Sequence, residues 1–224
     1  SLINLRELWQ YRDLIYFMTL RDIKVRYKQT ILGPFWPVVQ PFVLMIVFSF
    51  VFGGLAQFDS EGHPYPIFSY AALVPWTFFA TAMTRITLSL VQNAGVITKI
   101  YFPRLILPIV GTFASLFDFI VSFALLLIMM LAFGLVPTAN ILWLPLLLLL
   151  AMVTSLGFGL WFAALNVRFR DIGYGVEFML RVWIYLTPVA YSSEILPEPW
   201  SELYLLNPMR SEEHTSELQS LTNL

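Results

Sequence analysis

Apolar runs long enough to cross a bilayer follow one another along this chain, and nothing else in the sequence limits its fold as strongly. A spanning α-helix needs about 20 mostly apolar residues, because the hydrocarbon core is about 30 Å thick and each helical residue advances about 1.5 Å. Residues 38–56, 67–90, 105–136, 141–165 and 172–190 meet that requirement. Lipid offers backbone amides no hydrogen-bond partner, so runs of this kind fold as helices. The chain is 58% hydrophobic and only 12% charged, whereas about a quarter of a soluble domain is charged. These features predict an all-α polytopic membrane protein with five transmembrane helices. The 105–136 run exceeds one upright span and predicts a tilted helix or one extending past the bilayer. Pro75 interrupts the second run, and Gly157 and Gly159 offer the fourth a close helix contact. Residues 57–66 read as a loop. Residues 191–209, with Pro197, Pro199 and Pro208, are too broken to span and read as short re-entrant helices in the outer interface.

Before the first span the sequence is amphipathic. Residues 2–18 place Leu5, Leu8, Trp9, Ile15 and Tyr16 on one helical face, with Arg6, Glu7, Gln10 and Asp13 opposite and Arg12 snorkelling from the apolar side. In the segment LRDIKVRYKQTILGPFWPVVQP (20–41), Leu20, Ile23, Tyr27 and Ile31 share a face flanked by Arg21, Lys24 and Lys28. That pattern predicts a helix in the headgroup plane. Gly33 and Pro34 break it, Phe35 and Trp36 sit where interfacial aromatics are favoured, and Pro37 and Pro41 mark the start of the first span.

Charge fixes the expected orientation. Arg6, Arg12, Arg21, Lys24, Arg26 and Lys28 precede the first span, Lys99 and Arg104 follow the second, and Arg168 and Arg170 follow the fourth. Asp59, Glu61, Glu194, Glu198 and Glu202 fall on the other side, without Lys or Arg among them. By the positive-inside rule the N-terminus is cytoplasmic. No cleavable signal peptide is visible, and Ser1 in place of Met points to a missing start. With no cysteine in the chain, disulfides and thiolate metal sites are excluded.

Four segments together carry a family resemblance: RDIKVRYKQTILGPFWPVVQP (21–41), GVITKIYFPRLILP (95–108), NVRFRDIGY (166–174) and YLTPVAYSSEILP (185–197). They resemble the membrane permease subunit of ABC exporters for bacterial cell-surface polysaccharides, the O-antigen, capsule and teichoic-acid group. The resemblance implies a bacterial cytoplasmic-membrane protein that pairs with a second copy of itself and with an ABC ATPase subunit. The cargo it implies is a polysaccharide or polyol-phosphate polymer on an undecaprenyl-type lipid; no nucleic-acid partner is expected. ATP and magnesium would sit on the ATPase, with no cofactor on this chain. The family has six spans with both termini inside, so a sixth span is expected to be missing here. Residues 210–220, RSEEHTSELQS, match the in-frame translation of a common sequencing adapter. Residues 210–224 are therefore expected to be non-native, and the permease domain to run over 1–209: interfacial helices 1–33, spans 34–190, outer gate region 191–209. The same resemblance turns Gln92, Val96, Ile97, Lys99 and Ile100 toward the ATPase and puts Pro188, Tyr191 and Pro197 in the outer gate.

No catalytic constellation is visible. His63 stands alone in a loop outside the tail, the loops hold no carboxylate or histidine cluster, and no GxxxxGK[ST] phosphate loop occurs. Ionisable groups inside spans are costly and face protein or water. Arg85 and Asp118 either line a translocation path or form a structural ion pair, with snorkelling open to Arg85. Glu177 and Arg181, four residues apart, read as an intrahelical pair. Aromatics make up 17% of the chain, and many, such as Trp143 and Trp200, fit an interfacial belt. Trp36, Tyr70, Trp76, Trp183 and Tyr185 are candidates for the path, where aromatic faces stack weakly on sugar rings. Two other readings stand beside it: a proton-coupled secondary transporter titrating Asp118 or Glu177, and a membrane-embedded glycan- or lipid-modifying enzyme, which would need the carboxylate or histidine cluster that the loops lack.

Overall fold

A computed structural model describes residues 5–28, 30–55, 64–99, 101–135 and 139–187, and every regular element among them is helical. In chain order these are α1 (Leu5–Gln10), α2 (Arg12–Tyr27), α3 (Trp36–Phe48), α4 (Tyr65–Gln92), α5 (Ala94–Ile97), α6 (Ile106–Ala132), α7 (Leu144–Arg168) and α8 (Ile172–Leu186). A 3₁₀ turn, Gly33–Phe35, leads into α3, and π-helical turns, Ser49–Leu55, extend it. Four stretches are long and apolar enough to cross a membrane: Gly33–Gly54, Tyr65–Gln92, Ile106–Ala132 and Ile141–Arg168. The fifth expected span is described only as the 15 residues of α8, a length of about 22 Å, short of the hydrocarbon core. Its continuation, the 57–63 loop with His63, and the outer gate residues Pro188, Tyr191 and Pro197 lie outside the described residues.

Helix α4 is the hub. Its buried residues, among them Tyr70, Leu73, Phe79, Ala82, Met83 and Ile86, face α3, α6, α7 and α8 in turn. Lipid supplies little hydrophobic drive between helices, so close backbone approach and hydrogen bonds hold such a bundle. Gly159 of α7 shows this: a Cβ there would stand 2.7 Å from Ile86 Cγ2. Ser155, Gly159 and Ala163, spaced by four, form the buried seam of α7. Gly157 has nothing within 4 Å of an added Cβ, so of the two expected contact glycines only Gly159 makes the contact. At the far end Asn166 bridges three helices, donating from Nδ2 to the Thr87 carbonyl at 3.2 Å and accepting the Gly173 amide at 3.0 Å.

Prolines are absorbed rather than breaking the spans. Helix α4 runs on through Pro75, against the interruption expected there. Pro41, inside α3, removes the amide that would bond the Pro37 carbonyl; Ser122 Oγ of α6 donates to that carbonyl instead, at 3.1 Å.

The N-terminal region differs from its expected pattern. Instead of one helix over 2–18, the chain turns at Tyr11 and α2 runs unbroken to Tyr27. Met18, with Leu14 and Ile15, packs on Phe102, Ile106, Leu107 and Val110. Trp9 and Tyr16, expected on the same apolar face, are instead exposed. Docking onto α6 selects the inward face and leaves the other exposed. Ile31 lies beyond the helix end at Lys28 and is fully exposed, so it does not continue the face of Leu20, Ile23 and Tyr27.

Because Ile86 blocks a side chain at Gly159, Gly159→Ala is expected to lower stability by about 1–3 kcal/mol, while Gly157→Ala on the same helix leaves it unchanged or slightly raised. Thermal unfolding of both variants in nanodiscs checks this, and Ile86→Ala should relieve the Gly159→Ala defect.

Candidate functional site

Asp118, halfway along α6, is the best-connected charge in the described bundle. The Tyr27 hydroxyl donates to its Oδ1, Arg26 Nη1 donates to Oδ2 at 3.2 Å, and Arg85 Nη2 donates to the same oxygen. Arg85 Nη1 also donates to Ser115 Oγ at 3.0 Å, and that hydroxyl donates to the Gly111 carbonyl. Gly111 admits the approach: a Cβ there would lie 3.3 Å from Arg85 Cβ. The Asp118 and Arg85 side chains are 13% and 17% exposed, while Arg26 at 35% reaches toward the surface. Ion pairs this sheltered are retained because losing one partner strands the other without solvation. The Arg85–Asp118 pair left open by the sequence is therefore formed, and it also faces a cavity.

That cavity, of about 690 Å³, is lined by Arg26, Tyr27, Arg85 and Asp118 at its polar end and by Val39, Val43, Leu44, Val74, Phe78 and Phe119 along its walls, with Trp36 among the lining residues. A second cavity of about 610 Å³ lies between α3, α4 and α8, and Gln40, Leu44, Thr77 and Thr81 border both. Thr77, Thr81 and Thr84 recur at helical spacing along the α4 wall, each bonding its hydroxyl back to a carbonyl of its own helix. Such satisfied hydroxyls make a mildly polar wall rather than a tight binding surface.

The path candidates separate on this frame. Trp36, Arg85 and Asp118 border the first cavity; Trp76 and Tyr185 border the second. Trp76 is nonetheless buried in the core, and Trp183, half-buried and edge-on to Trp76 at 6.3 Å and to Phe79 at 6.0 Å, lines neither cavity. Tyr70 lines neither cavity: it is fully buried in the core, its hydroxyl 3.4 Å from the Ser122 carbonyl. Glu177 and Arg181 pair at 2.6 Å along exposed α8, as their spacing predicts. In the α4–α6 connection, Gln92 ends α4 and Lys99 is exposed, whereas Val96 and Ile97 are half-buried against the Met18–Phe102–Ile106 cluster. Ile100 lies outside the described residues. Among the described residues no three His, Asp or Glu side chains converge to hold a metal.

Sequence reading missed Arg26 and Tyr27 as site residues. They lie 92 and 91 residues from Asp118, and only the packing of α2 on α6 brings them together. The threonine spacing on α4 was visible, a polar file at positions 77, 81 and 84 in an apolar helix.

Fold and site together define a polytopic all-α membrane protein whose central helix lines a cavity with a charged end. The profile of the ABC-2 type transporter family matches residues 13–211, and the chain belongs to that family. It is 32% identical over 208 residues to an O-antigen export system permease protein of Myxococcus xanthus, covering 92% of this chain and 79% of the relative. Identity to an O-antigen export system permease protein of Klebsiella pneumoniae is 29% over 200 residues, 89% and 76% of the two chains. A polysialic acid transport protein of Escherichia coli matches at 23% over 195 residues, 85% and 74% of the two chains.

Tyr27 lies before the first span and supplies a titration test. Burial, then the hydrogen bond to Asp118 and that residue's charge, push its phenol up from about 10 to about 12. The folded chain thus holds this proton more tightly than the unfolded one. The associated stability is complete below about pH 10 and lost as pH rises to about 12. The phenolate absorbance of wild type minus Tyr27→Phe should show one phenol ionising near pH 12; ionisation near the ordinary tyrosine value would mean that the hydroxyl is neither buried nor bonded to Asp118.

Proposed function

We propose that this chain is the permease subunit of an ATP-driven exporter that moves a lipid-linked polysaccharide or polyol-phosphate polymer across the bacterial cytoplasmic membrane. The observation that carries the reading is the family match over nearly the whole chain, with relatives named for O-antigen export and polysialic acid transport. Two copies pair, each with an ABC ATPase subunit that binds ATP and magnesium. The N-terminus is cytoplasmic, in keeping with the one-sided Lys and Arg distribution. Trp36 at the first cavity and Tyr185 at the second offer the moving polymer weak, repeated contacts beside the threonine file of α4.

The α4–α6 connection meets the ATPase. Half-burial of Val96 and Ile97 gives this short segment its footing on α2 and α6, and leaves Gly95, Thr98 and Lys99 outward as the docking surface. A proton-coupled carrier would instead cycle a proton on Asp118 or Glu177, both held here by arginine.

Expression with the ATPase, in cells that make a polymer but lack their own exporter, tests the reading. Surface polymer should appear, depend on an intact ATPase, and persist when the proton gradient is collapsed with ATP maintained. Lys99→Glu, which alters no buried contact, should cut the ATPase recovered with the permease by about tenfold and reduce export in proportion. Export that follows the proton gradient and ignores the ATPase would favour the carrier; unchanged docking in Lys99→Glu would remove Lys99 from the coupling surface.

A further inference from the structure

The charges around the 690 Å³ cavity do not balance. Its lining contains two guanidinium groups, Arg26 and Arg85, and one carboxylate, Asp118, so one positive charge is in excess at the polar end. In the second cavity Glu177 and Arg181 cancel. Arg26, the more exposed of the two arginines, carries that excess toward the surface, where a mobile anion can meet it. The remaining wall is largely apolar and made by three helices, with Val39 and Val43 on α3, Val74 and Phe78 on α4 and Phe119 on α6, and its polar positions are Gln40, Ser122 and the back-bonded Thr77 and Thr81. A cationic end joined to an apolar wall matches an amphiphile with an anionic head.

We propose that this cavity is a subsite for the phosphate of a lipid, with Arg26 and Arg85 holding the phosphate oxygens and the hydrocarbon chain lying along α3 and α4. Guanidinium forks suit phosphate, since each presents paired N–H donors to two oxygens at once. Asp118 positions both arginines and also competes with the ligand for them. Arg26 is the specificity-determining residue: it stands at the more exposed edge and carries the charge that Asp118, already paired with Arg85, leaves unbalanced. The proposal deepens the exporter reading, on which it rests for the identity of the lipid, a carrier bearing the polymer through a phosphate.

The test uses the full chain in phosphatidylcholine nanodiscs, titrated with a long-chain prenyl phosphate or with inorganic phosphate, and follows the shift in thermal unfolding. Prenyl phosphate should stabilise the wild type saturably, and inorganic phosphate should not do so at the same concentrations. Arg26→Gln should weaken the apparent Kd about tenfold and Arg26→Lys less, because the point charge remains but the fork is lost. Asp118→Asn should lower the starting stability yet tighten prenyl phosphate binding, because the competing carboxylate is gone. A merely structural ion pair gives the opposite result: Asp118→Asn would bind no tighter than wild type, and that outcome overturns the proposal. Equal binding of inorganic phosphate overturns the lipid assignment. ATP-driven export by a protein that fails to bind prenyl phosphate sinks this subsite and leaves the exporter standing. Binding with export that ignores the ATPase does the reverse.

Discussion

One carboxylate, Asp118, ties together segments that the chain places far apart. Through Arg26 and Tyr27 it fastens the end of α2, and through Arg85 it fastens α4 to α6. Within a bilayer a carboxylate is tolerated only when its charge and lone pairs are matched. Asp118 meets that condition with three donors from two other helices. The amphipathic helix is therefore held to the spanning bundle at its C-terminal end as well as along the Met18 seam. The cavity beside the clasp acquires both its charge and part of its shape from the same contacts.

Around the clasp the bundle obeys the physics of packing in lipid. Helix α4 is approached closely by Gly111 of α6, Gly159 of α7 and Gly173 of α8, each leaving an added Cβ little or no room. Where a backbone group loses its helical partner, another helix supplies one, as Ser122 does for the Pro37 carbonyl and Asn166 does for the Gly173 amide. These close contacts hold α4 in register, and with it the threonine file and Arg85.

Fold class was legible because spanning runs are set by length and apolar content, local properties of the sequence, and four of them stand in the structure. Glu177 and Arg181 were legible for the same reason, their spacing being short-range. The apolar face of the N-terminal helices α1 and α2 was read less well. Periodicity marks a helix as amphipathic but does not say whether lipid or protein will cover it, and here Met18 and Ile15 face protein while Trp9 and Tyr16 do not. Pro75 reads as a break, yet tertiary packing carries α4 straight through it. Arg85 and Asp118 were visible as intramembrane charges, but their union with Arg26 depends on a contact across 92 residues that no local pattern encodes. Tyr70, an attractive path residue by type, lies in the core because its position on α4 turns it toward Ser122.

The clasp is the claim on which the cavity and the placement of α2 depend, and a distance between helices tests it most directly. The chain has no cysteine, so paired spin labels introduced at exposed Val25 of α2 and exposed Ile120 of α6 report without background. In nanodiscs the wild-type background should give one narrow distance distribution, and Asp118→Ala should broaden and lengthen it as the end of α2 comes free. A distribution that stays narrow and unmoved in Asp118→Ala would show that the carboxylate does not hold these helices together.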